Sequence, residues 1–470
     1  MFDNSFARLP APFYARLSPE PVPAPAPLAL NRALAARLGF DPDWLAGPEG
    51  TAMLAGNALP DGAEPLAQAY AGHQFGHFVP SLGDGRALLL GEIVTAEGAR
   101  FDLVLKGAGR TPFSRGGDGR AWLGPVLREY ILSEAMAALG VPSTRALAAV
   151  ATGGRVIREG MARPGAVLAR VAVSHIRIGT FQYFAARGDE ASLRKLCNHL
   201  ILRHYTQANG ALDLLEQVIL AQARLVAQWM SFGFIHGVMN TDNMAISGET
   251  IDYGPCAFLD DYHPRKAFSA IDTQGRYAYA NQPQIALWNL AQLASALLPL
   301  IGTGEAALEA AQAALDRFVP AYQGAWLALM GRKIGLAAAT EADRGLIEGL
   351  LARMASERAD FTRSFTGLMR STARDEFLDP AAFDGWAPQW AARLAQERDP
   401  QAVMAAANPL RIARNHRVEA AITAALAGDL APFHALNAAL AAPFTADPAL
   451  AEFEAAPWPE ERVTRTFCGT

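Results

Sequence analysis

The chain has 470 residues, of which 51% are hydrophobic, so it can form more than one compact unit around a sizeable core. Its formal net charge of −5 is close to neutral for this length and gives no reason to expect a nucleic acid or an anionic membrane as partner. Three cysteines are too few for a disulfide-rich scaffold, and the N-terminal residues do not resemble a secretory signal, so we expect a soluble cytoplasmic protein.

The first part of the chain is predicted to form a β-rich lobe. The Pro-Ala tract LSPEPVPAPAPLAL predicts an extended arm within residues 1–60. Short apolar runs between about residues 66 and 157, such as ALLLGEIV and FDLVLKG, predict strands. Residues 130–140 predict a helix that ends at its glycine. We assign residues 61–185 to a nucleotide-binding lobe.

Helical periodicity dominates after about residue 192, in segments such as LDLLEQVILAQARLVAQWMSFG. The most apolar stretch, residues 285–302, contains Asn, Gln and Trp and is short for a membrane span, so a buried helix is expected. We assign residues 186–455 to a helical lobe and residues 456–470 to a flexible polar tail. The pattern predicts an α+β fold of two lobes around a cleft.

The segment FIHGVMNTDNMAISGETIDYGP carries most of a protein kinase's catalytic signature, H-R-D-L-x-x-x-N followed by D-F-G. With His236 in the first position, Asn243 takes the asparagine position and Asp252 begins a D-x-G. The catalytic aspartate is replaced by Val238, which cannot accept a proton, whereas Asp242 stands directly before the asparagine. Amide and carboxylate oxygens suit Mg²⁺, so the segment predicts a metal site. The alternative is that these residues only form turns.

Lys106 closes the apolar strand FDLVLKG, like the kinase lysine that pairs with phosphates and a helical glutamate. Glu129 is its expected partner, and Glu134 is the alternative. The glycine-bearing loop GHQFGHFVPSLGDGR precedes that strand and is placed to cover phosphates, although G-D-G is also an ordinary hairpin turn. We expect its two histidines to be structural.

The segment GAGRTPFSRGGDGRAWLGP follows this lysine directly and contains Arg110, Arg115 and Arg120. It is not a Walker A loop, and an ordinary kinase has no such basic loop there. Arg170 and Arg177 add two more guanidinium groups, which match phosphate oxygens in pairs. Arg170 lies in an apolar run where an unpaired charge would be costly, so an anionic ligand or a carboxylate partner is expected.

These long motifs resemble the selenoprotein O family, also called SelO or YdiU, from about residue 2 to the end of the chain. The resemblance implies a protein-kinase-like bilobal fold with a β-rich N-lobe and a mainly helical C-lobe. It also implies that AMP moves from ATP, bound in a flipped orientation with Mg²⁺ or Mn²⁺, to Ser, Thr or Tyr hydroxyls of proteins. We further expect a monomer.

The resemblance implies a role for each matching position. Lys106 and Glu129 would form an ion pair, Asn243 and Asp252 would hold the metal, and Asp242 would accept the proton. The nucleotide site would be lined by Gly83, Gly85, Arg86, Lys106, Asp118, Gly119, Arg170, Arg177 and Asp252. Attack at the α-phosphorus expels pyrophosphate, whose charge needs more cations than ADP does, and the arginines would supply them.

The third residue from the C-terminus is often Cys or selenocysteine in the family, and Cys468 takes that place. The resemblance implies a redox role for it. Cys256, which lies nearer the D-Y-G than the family pattern has its partner cysteine, is the expected partner, and Cys197 is the less favoured one.

Three alternatives to AMP transfer stay open at this point. The nucleotide could be UTP, because nothing in the sequence fixes the base. The enzyme could be a kinase that transfers the γ-phosphoryl group to a protein or a small molecule, although the basic loop counts against this. A non-catalytic nucleotide-binding pseudokinase is the third, although the metal ligands count against it.

Overall fold

Short runs of apolar residues form the strands of the first lobe in the computed structural model, which describes residues 2–467. The strands of the chain are β1 (Tyr14–Arg16), β2 (Ala26–Leu30), β3 (Leu66–Gln68), β4 (Gly72–Gln74), β5 (His77–Val79), β6 (Ala87–Val94), β7 (Arg100–Lys106), β8 (Ala121–Trp122), β9 (Arg145–Arg158), β10 (Met161–Ala172), β11 (Phe234–Ile235) and β12 (Ala257–Phe258). Eight of them form one antiparallel sheet in the order β1-β3-β6-β7-β10-β9-β2, with β8 paired to β10.

The two faces of this sheet bury different helices. The helices of the first lobe are α1 (Arg32–Arg37), α2 (Pro42–Ala46), α3 (Pro48–Ala55) and α4 (Leu123–Ala138). On β7, Leu103 and Leu105 belong to the core formed with α1–α3, whereas Val104 belongs to the core formed with α4. Because strand side chains alternate, Asp102 and Lys106 share the face of Val104 and point towards α4.

The N-terminal segment differs from the predicted surface arm. Residues 2–60 supply β1 and β2 to the two edges of the sheet and α1–α3 to one of its faces. Leu34, Leu45 and Leu54 are buried there, which makes this segment part of the lobe. The expected extended backbone is seen in β2, which pairs with β9.

Helix α4 begins at Leu123, well before the predicted residue 130. The missed signal is Pro125, a residue that is favoured in the first turn of a helix. The predicted end is confirmed, since the helix ends at Ala138 and Gly140 has a φ of 78°. The longer helix places Glu129 in its second turn, where that side chain faces the sheet.

The second lobe is built from helices around a central one, α7, and it begins with α5 at Ile178, before the predicted boundary at residue 186. Its helices are α5 (Ile178–Ala185), α6 (Glu190–His204), α7 (Ala211–Phe232), α8 (Gln282–Ile301), α9 (Gly304–Asp316), α10 (Phe318–Lys333), α11 (Arg344–Glu357), α12 (Phe361–Arg370), α13 (Pro380–Asp384), α14 (Ala387–Leu394), α15 (Pro400–Ala407), α16 (Asn415–Leu426) and α17 (Ala431–Leu440). Short 3₁₀ turns occur at Phe6–Arg8, Ala11–Phe13, Thr241–Asn243, Tyr279–Asn281, Glu341–Asp343, Ala373–Glu376, Pro448–Glu454 and Pro459–Glu461. The β-rich first lobe and the helical second lobe agree with the predicted α+β bilobal fold.

Helix α8 supports the segment between β11 and β12 that carries the kinase-like signature. The helical segment of residues 279–301 is long and apolar enough to cross a membrane, by length and composition alone. In its most apolar stretch, 39% of the residues are buried. Gln282 Oε1 accepts the His236 backbone N–H at 2.9 Å, and Asn289 Nδ2 donates to the Met239 carbonyl at 2.8 Å. The polar residues of this apolar helix therefore fix the backbone of residues 234–255, which we call the catalytic segment after their kinase-like signature.

A buried arginine fixes the chain beyond β12. The guanidinium of Arg414 donates to Asp260 Oδ1 at 2.7 Å and to Asp360 Oδ2 at 2.8 Å. Asp360 is also the N-cap of α12, where its Oδ1 accepts from the Arg363 backbone N–H. Since each buried charge has a partner, this network holds the strand after the D-Y-G against the helical lobe.

Lys333, at the end of α10, is buried among aromatic rings. Its ammonium lies 4.6 Å from the ring centre of Phe365 and 5.7 Å from those of Phe232 and Phe361. Burial lowers the pKa of Lys333 to about 7. The ring faces attract the cation, but they do not replace the water that an ammonium loses on burial.

We predict that Lys333→Met stabilises the fold at neutral pH. An amine with a lowered pKa destabilises the folded state at low pH, and this effect fades as pH rises from about 7 towards 10. Thermal melting at pH 7 should show a gain worth about 1–3 kcal/mol for Lys333→Met and a smaller gain at pH 9.5. The exposed Lys195→Met should change little. A lower melting temperature for Lys333→Met would show that the rings stabilise the ammonium more than burial destabilises it.

Candidate active site

A cavity of about 780 Å³ lies between the two lobes, within the size range of small-molecule sites. Its wall contains eight cationic side chains and five carboxylates, an excess of positive charge that suits an anionic ligand. Every site residue predicted from the sequence lines it, namely Gly83, Gly85, Arg86, Lys106, Asp118, Gly119, Glu129, Arg170, Arg177, Asp242, Asn243 and Asp252.

Asp252 of the D-Y-G lies among three cations. Its Oδ1 is 3.1 Å from Lys106 Nζ and 2.6 Å from Arg170 Nη1, and its Oδ2 is 2.9 Å from Arg177 Nη1. Burial disfavours the charged carboxylate, but the three cations together outweigh burial and hold the pKa of Asp252 well below its usual range. Together with Glu129, these residues form what we call the Asp252 cluster.

Glu129 of α4 completes this cluster. Its Oε2 accepts from Lys106 Nζ at 2.6 Å and its Oε1 accepts from Arg170 Nη1 at 3.0 Å. Glu134, the alternative partner considered for Lys106, instead accepts from Arg145 Nη2 at 2.6 Å. The difference follows from the helix: Glu129 faces the cleft, and Glu134, more than a turn later, faces the start of β9.

Arg177 joins the Asp252 cluster to the catalytic segment. Its Nη1 donates both to Asp252 and, at 2.7 Å, to the backbone carbonyl of Asp242. Its guanidinium lies over the ring of Tyr70 at 4.5 Å from the ring centre. One side chain at the start of α5 therefore fixes the distance between the two carboxylates that carry the predicted chemistry.

The Asp242 carboxylate is buried in the 3₁₀ turn Thr241–Asn243. Burial raises the pKa of Asp242 to about 6, against the attraction of Arg177. Its Oδ2 accepts from Gln74 Nε2 at 3.3 Å, whereas its Oδ1 has no hydrogen-bond partner among the described residues. A β-carbon at Gly72 would lie 2.4 Å from that Oδ1, so only glycine fits there. A buried oxygen without a partner is ready for a proton or a cation.

The glycine-bearing loop is divided between two tasks. Its first part forms the hairpin β4–β5, which docks on the catalytic segment: the His73 N–H donates to Thr241 Oγ1 at 2.7 Å and the Phe75 N–H donates to Asn240 Oδ1 at 3.0 Å. His73 Nδ1 also accepts from Gln182 Nε2, a structural contact as expected. Its second part, residues 83–86, lines the cavity together with Gln74 and Phe75 of the first part.

Asp118 organises the arginine-rich loop. Its carboxylate accepts two hydrogen bonds from Arg158, both at 2.8 Å, and one from the Arg120 N–H at 2.9 Å. The Arg158 hydrogen bonds lower the pKa of Asp118. A β-carbon at Gly119 would lie 1.9 Å from the Gly109 carbonyl oxygen, so this glycine lets the two ends of the loop touch. Asp118 and the close contact at Gly119 thus hold the loop in shape.

Two of the arginines in the cavity keep their charge available. Within residues 2–467, Arg86 and Arg115 form no ion pair with a carboxylate, although both line the cavity. Arg110 is held through its Nε, which donates to the Gly117 carbonyl at 3.0 Å. These side chains can receive the oxygens of an anionic group that enters the cavity.

The donor set fits a hard cation that is bound jointly by protein and phosphate. Asn243 Nδ2 donates to the Val238 carbonyl at 3.0 Å, which leaves the side-chain oxygen for a metal, and Asp242 Oδ1 is the orphaned oxygen noted above. The described residues contain no group of three or more His, Cys, Asp or Glu that could hold a metal alone. Mg²⁺ commonly takes one or two protein oxygens and completes its shell with water and substrate phosphate.

The cysteine pairing expected from the family resemblance stays a prediction, because Cys468 lies outside the described residues. Thr466, two residues before it, donates its hydroxyl to the Pro255 carbonyl, next to Cys256. Cys256 is fully buried, and Cys197 is buried in α6, where burial raises the pKa of its thiol to about 11. The described end of the tail therefore contacts the residue before Cys256, whereas the prediction for residues 456–470 was a flexible tail.

Sequence reasoning missed three residues of this site. Gln74 contacts Asp242, Tyr70 lies under Arg177, and Arg128 of α4 donates to the Gly254 carbonyl at 3.0 Å, which anchors the D-Y-G. Arg128 carried a usable signal, since it is the one basic residue in the predominantly apolar helix α4. Gln74 and Tyr70 carried none, because their contacts join residues far apart in the chain.

The chain matches a family model described as protein adenylyltransferase SelO over residues 1–441. It is also similar to proteins named protein nucleotidyltransferase YdiU. The relative from Ruegeria pomeroyi is 57% identical over 469 residues, that from Roseobacter denitrificans 58% over 469 residues, and that from Rhodopseudomonas palustris 56% over 487 residues. In each case the match covers 100% of this chain and 99% of the relative.

We predict that Asp242→Asn stabilises the protein at neutral pH. A carboxyl whose folded pKa is raised to about 6 stabilises the fold at low pH and loses that contribution as pH rises through 6. A neutral amide of the same shape avoids the buried charge, so the variant should gain about 1–3 kcal/mol at pH 7.5. Thermal melting should show the gain shrinking towards pH 5.

The exposed Asp61→Asn serves as the control and should leave the melting temperature unchanged at both pH values. If Asp242→Asn melts at or below the wild-type temperature at pH 7.5, the Asp242 carboxylate is not held at an energetic cost.

Proposed function

Since the chain belongs to the protein adenylyltransferase SelO family, we propose that it transfers AMP from ATP to hydroxyl groups of protein side chains. The chain is a protein nucleotidyltransferase by its family and by its relatives. Neither the family nor the relatives support a γ-phosphoryl transferase or a non-catalytic nucleotide-binding module. The substrates are therefore a nucleotide and a protein.

The observation that carries this proposal is the surplus of cations around two carboxylates, the buried Asp242 and the partly buried Asp252. Lys106, Arg170 and Arg177 surround Asp252, while Arg86 and Arg115 keep their charge for a ligand. Pyrophosphate carries more charge as a leaving group than ADP does, so more cations are needed where it departs. Preorganised guanidinium groups stabilise such charge as it develops.

In the proposed reaction a protein hydroxyl oxygen attacks the α-phosphorus of ATP. The bond from that phosphorus to the bridging oxygen breaks, and pyrophosphate leaves towards the arginines of the first lobe. Asp242 takes the hydroxyl proton, for which a carboxylate with a pKa of about 6 is suited near neutral pH. The products are AMP-modified protein and pyrophosphate, so atoms and charges balance.

Asn243 and Asp252 would hold Mg²⁺ or Mn²⁺ in this proposal, with Asp242 close by. The metal, when bound, neutralises phosphate charge and orients the phosphates. Arg177 keeps the backbone of Asp242 at a fixed distance from Asp252, and Gln74 orients the Asp242 carboxylate. A cytoplasmic location is also part of the proposal, supported by the few cysteines, and so is a monomeric enzyme.

We predict that covalent label comes from the α-phosphate of ATP. The enzyme is incubated with a protein extract and either α-labelled or γ-labelled ATP in the presence of Mg²⁺. Label from α-labelled ATP should enter protein with release of pyrophosphate, because the cations in the cavity suit that leaving group. The Asp252→Asn enzyme is the control and should transfer neither label. Label from γ-labelled ATP alone would refute nucleotidyl transfer.

We predict that Asp242→Asn separates turnover from nucleotide binding. Loss of a general base should slow turnover by roughly 10²–10⁴-fold while calorimetry shows Mg·ATP affinity close to wild type. Asn243→Ala is the matched variant, because loss of a metal ligand should weaken binding and slow turnover together. If Asp242→Asn weakens Mg·ATP binding in step with its rate, as Asn243→Ala does, then Asp242 orients the metal and is not the base.

A further inference from the structure

Arg170 is held by more than its two carboxylates. The guanidinium is buried, and its Nη1 contacts Glu129 and Asp252. Its Nε donates to Nε2 of His175 at 3.1 Å. A buried guanidinium with several donors needs an acceptor on each side to keep one orientation, and here His175 supplies the acceptor on the side away from Asp252.

The hydrogen bonds of His175 fix which ring nitrogen carries the proton. Nε2 faces the Arg170 N–H and must accept, so it is unprotonated. Nδ1 lies 3.1 Å from Asp102 Oδ2, an acceptor, so it carries the hydrogen. The same Oδ2 accepts the backbone N–H of His175 at 2.9 Å, which fixes the main chain as well as the ring.

Asp102 is itself immobilised. Its Oδ1 accepts from Arg203 Nη2 of α6 at 2.5 Å, and the same nitrogen donates to the Val173 carbonyl at 2.6 Å. Burial opposes the charge of Asp102, but Arg203 and His175 outweigh it and keep its pKa below the usual value. Burial in turn lowers the pKa of His175 to about 4, so the ring is neutral under working conditions.

The position of His175 in the chain lets it contact segments of both lobes. His175 lies in residues 173–177, which join β10 of the first lobe to α5 of the second. Asp102 lies on β7, on the same face as Lys106. The contacts of one imidazole therefore connect the strand that carries the lysine, the strand that carries Arg170 and the connection between the lobes.

We propose that His175, oriented by Asp102, is a positioning residue for the transfer reaction: its unprotonated Nε2 holds the Arg170 guanidinium against Glu129 and Asp252. The inference rests on the proposed function, because it assigns His175 to the same site. Without that acceptor the buried Nε–H of Arg170 has no partner, and the guanidinium can turn away from Asp252. The metal ligand and the nucleotide phosphates then lose a fixed cation.

A pair of amide variants that differ by one methylene group separates the two nitrogens of His175. H175Q can place an amide oxygen near the former Nε2 and keep an acceptor for Arg170. H175N can place an amide N–H near the former Nδ1, which keeps the bond to Asp102 but removes the acceptor. If His175 only supports Asp102, then H175N should be the milder change. If it only fills space, the smaller asparagine should lower the melting temperature of H175N below that of H175Q.

The two variants are compared by α-label transfer at saturating Mg·ATP, by the Mg²⁺ concentration for half-maximal rate, by Mg·ATP calorimetry and by thermal melting. We expect H175N to turn over about 10–100 times more slowly than H175Q, as for loss of a hydrogen bond to a buried charged group. H175N should also need more Mg²⁺ and bind Mg·ATP more weakly, while the melting temperatures of the two variants agree. Equal rates, or a faster H175N, would overturn the proposal.

Nitrogen-15 NMR of the wild-type histidines gives a test that does not depend on the variants folding. The His175 signal, assigned through its sequence neighbours, should show Nδ1 protonated and Nε2 unprotonated from pH 5 to 8. A protonated Nε2 would overturn the proposal. If the wild-type enzyme transfers no α-label, the proposed function is wrong. In that case the His175 tautomer and the Mg·ATP affinity of the two variants still test whether His175 holds Arg170 in place.

Discussion

The placement of one partly buried carboxylate, Asp252, among three cations constrains the rest of this structure. A buried charge is tolerated only when partners compensate for the lost water, and here they come from separate elements. Lys106 and Arg170 reach it from adjacent strands of the first lobe, and Arg177 reaches it from the start of α5 in the second. Because each lobe supplies part of the compensation, the lobes are held in one relative position while the cluster is intact.

The same constraint explains features that carry an energetic cost. Asp252 has a φ of 61°, in a region that non-glycine residues seldom occupy, and this backbone turn brings both of its oxygens to the cations. Asp242 keeps a buried oxygen without a hydrogen-bond partner, beside a glycine that leaves it just enough room. Large apolar cores on both sides of the sheet and around α7 can offset such costs.

The sequence predicted what depends on local spacing. Strand and helix periodicity identified the two lobes. The interval from His236 to Asn243, the D-Y-G and the strand ending in Lys106 identified several polar residues of the cavity, and the family resemblance implied the others that were predicted. The sequence could not predict contacts between distant segments, such as the docking of the β4–β5 hairpin on the catalytic segment. The acceptor that His175 offers to Arg170 was missed for the same reason, since no local pattern reports the partner of a buried imidazole.

The displacement of the acidic residue from the Val238 position to Asp242 is consistent with the direction of the proposed transfer. The attacking and leaving oxygens lie roughly in line in phosphoryl chemistry, so the base and the leaving group belong on opposite sides of the phosphorus. Arg86 and Arg115, which can receive pyrophosphate, belong to the first lobe, whereas Asp242 belongs to the catalytic segment of the second. Arg177 contacts both the Asp242 backbone and Asp252. Arg177 therefore connects the segment that carries Asp242, the proposed base, to the cations around Asp252.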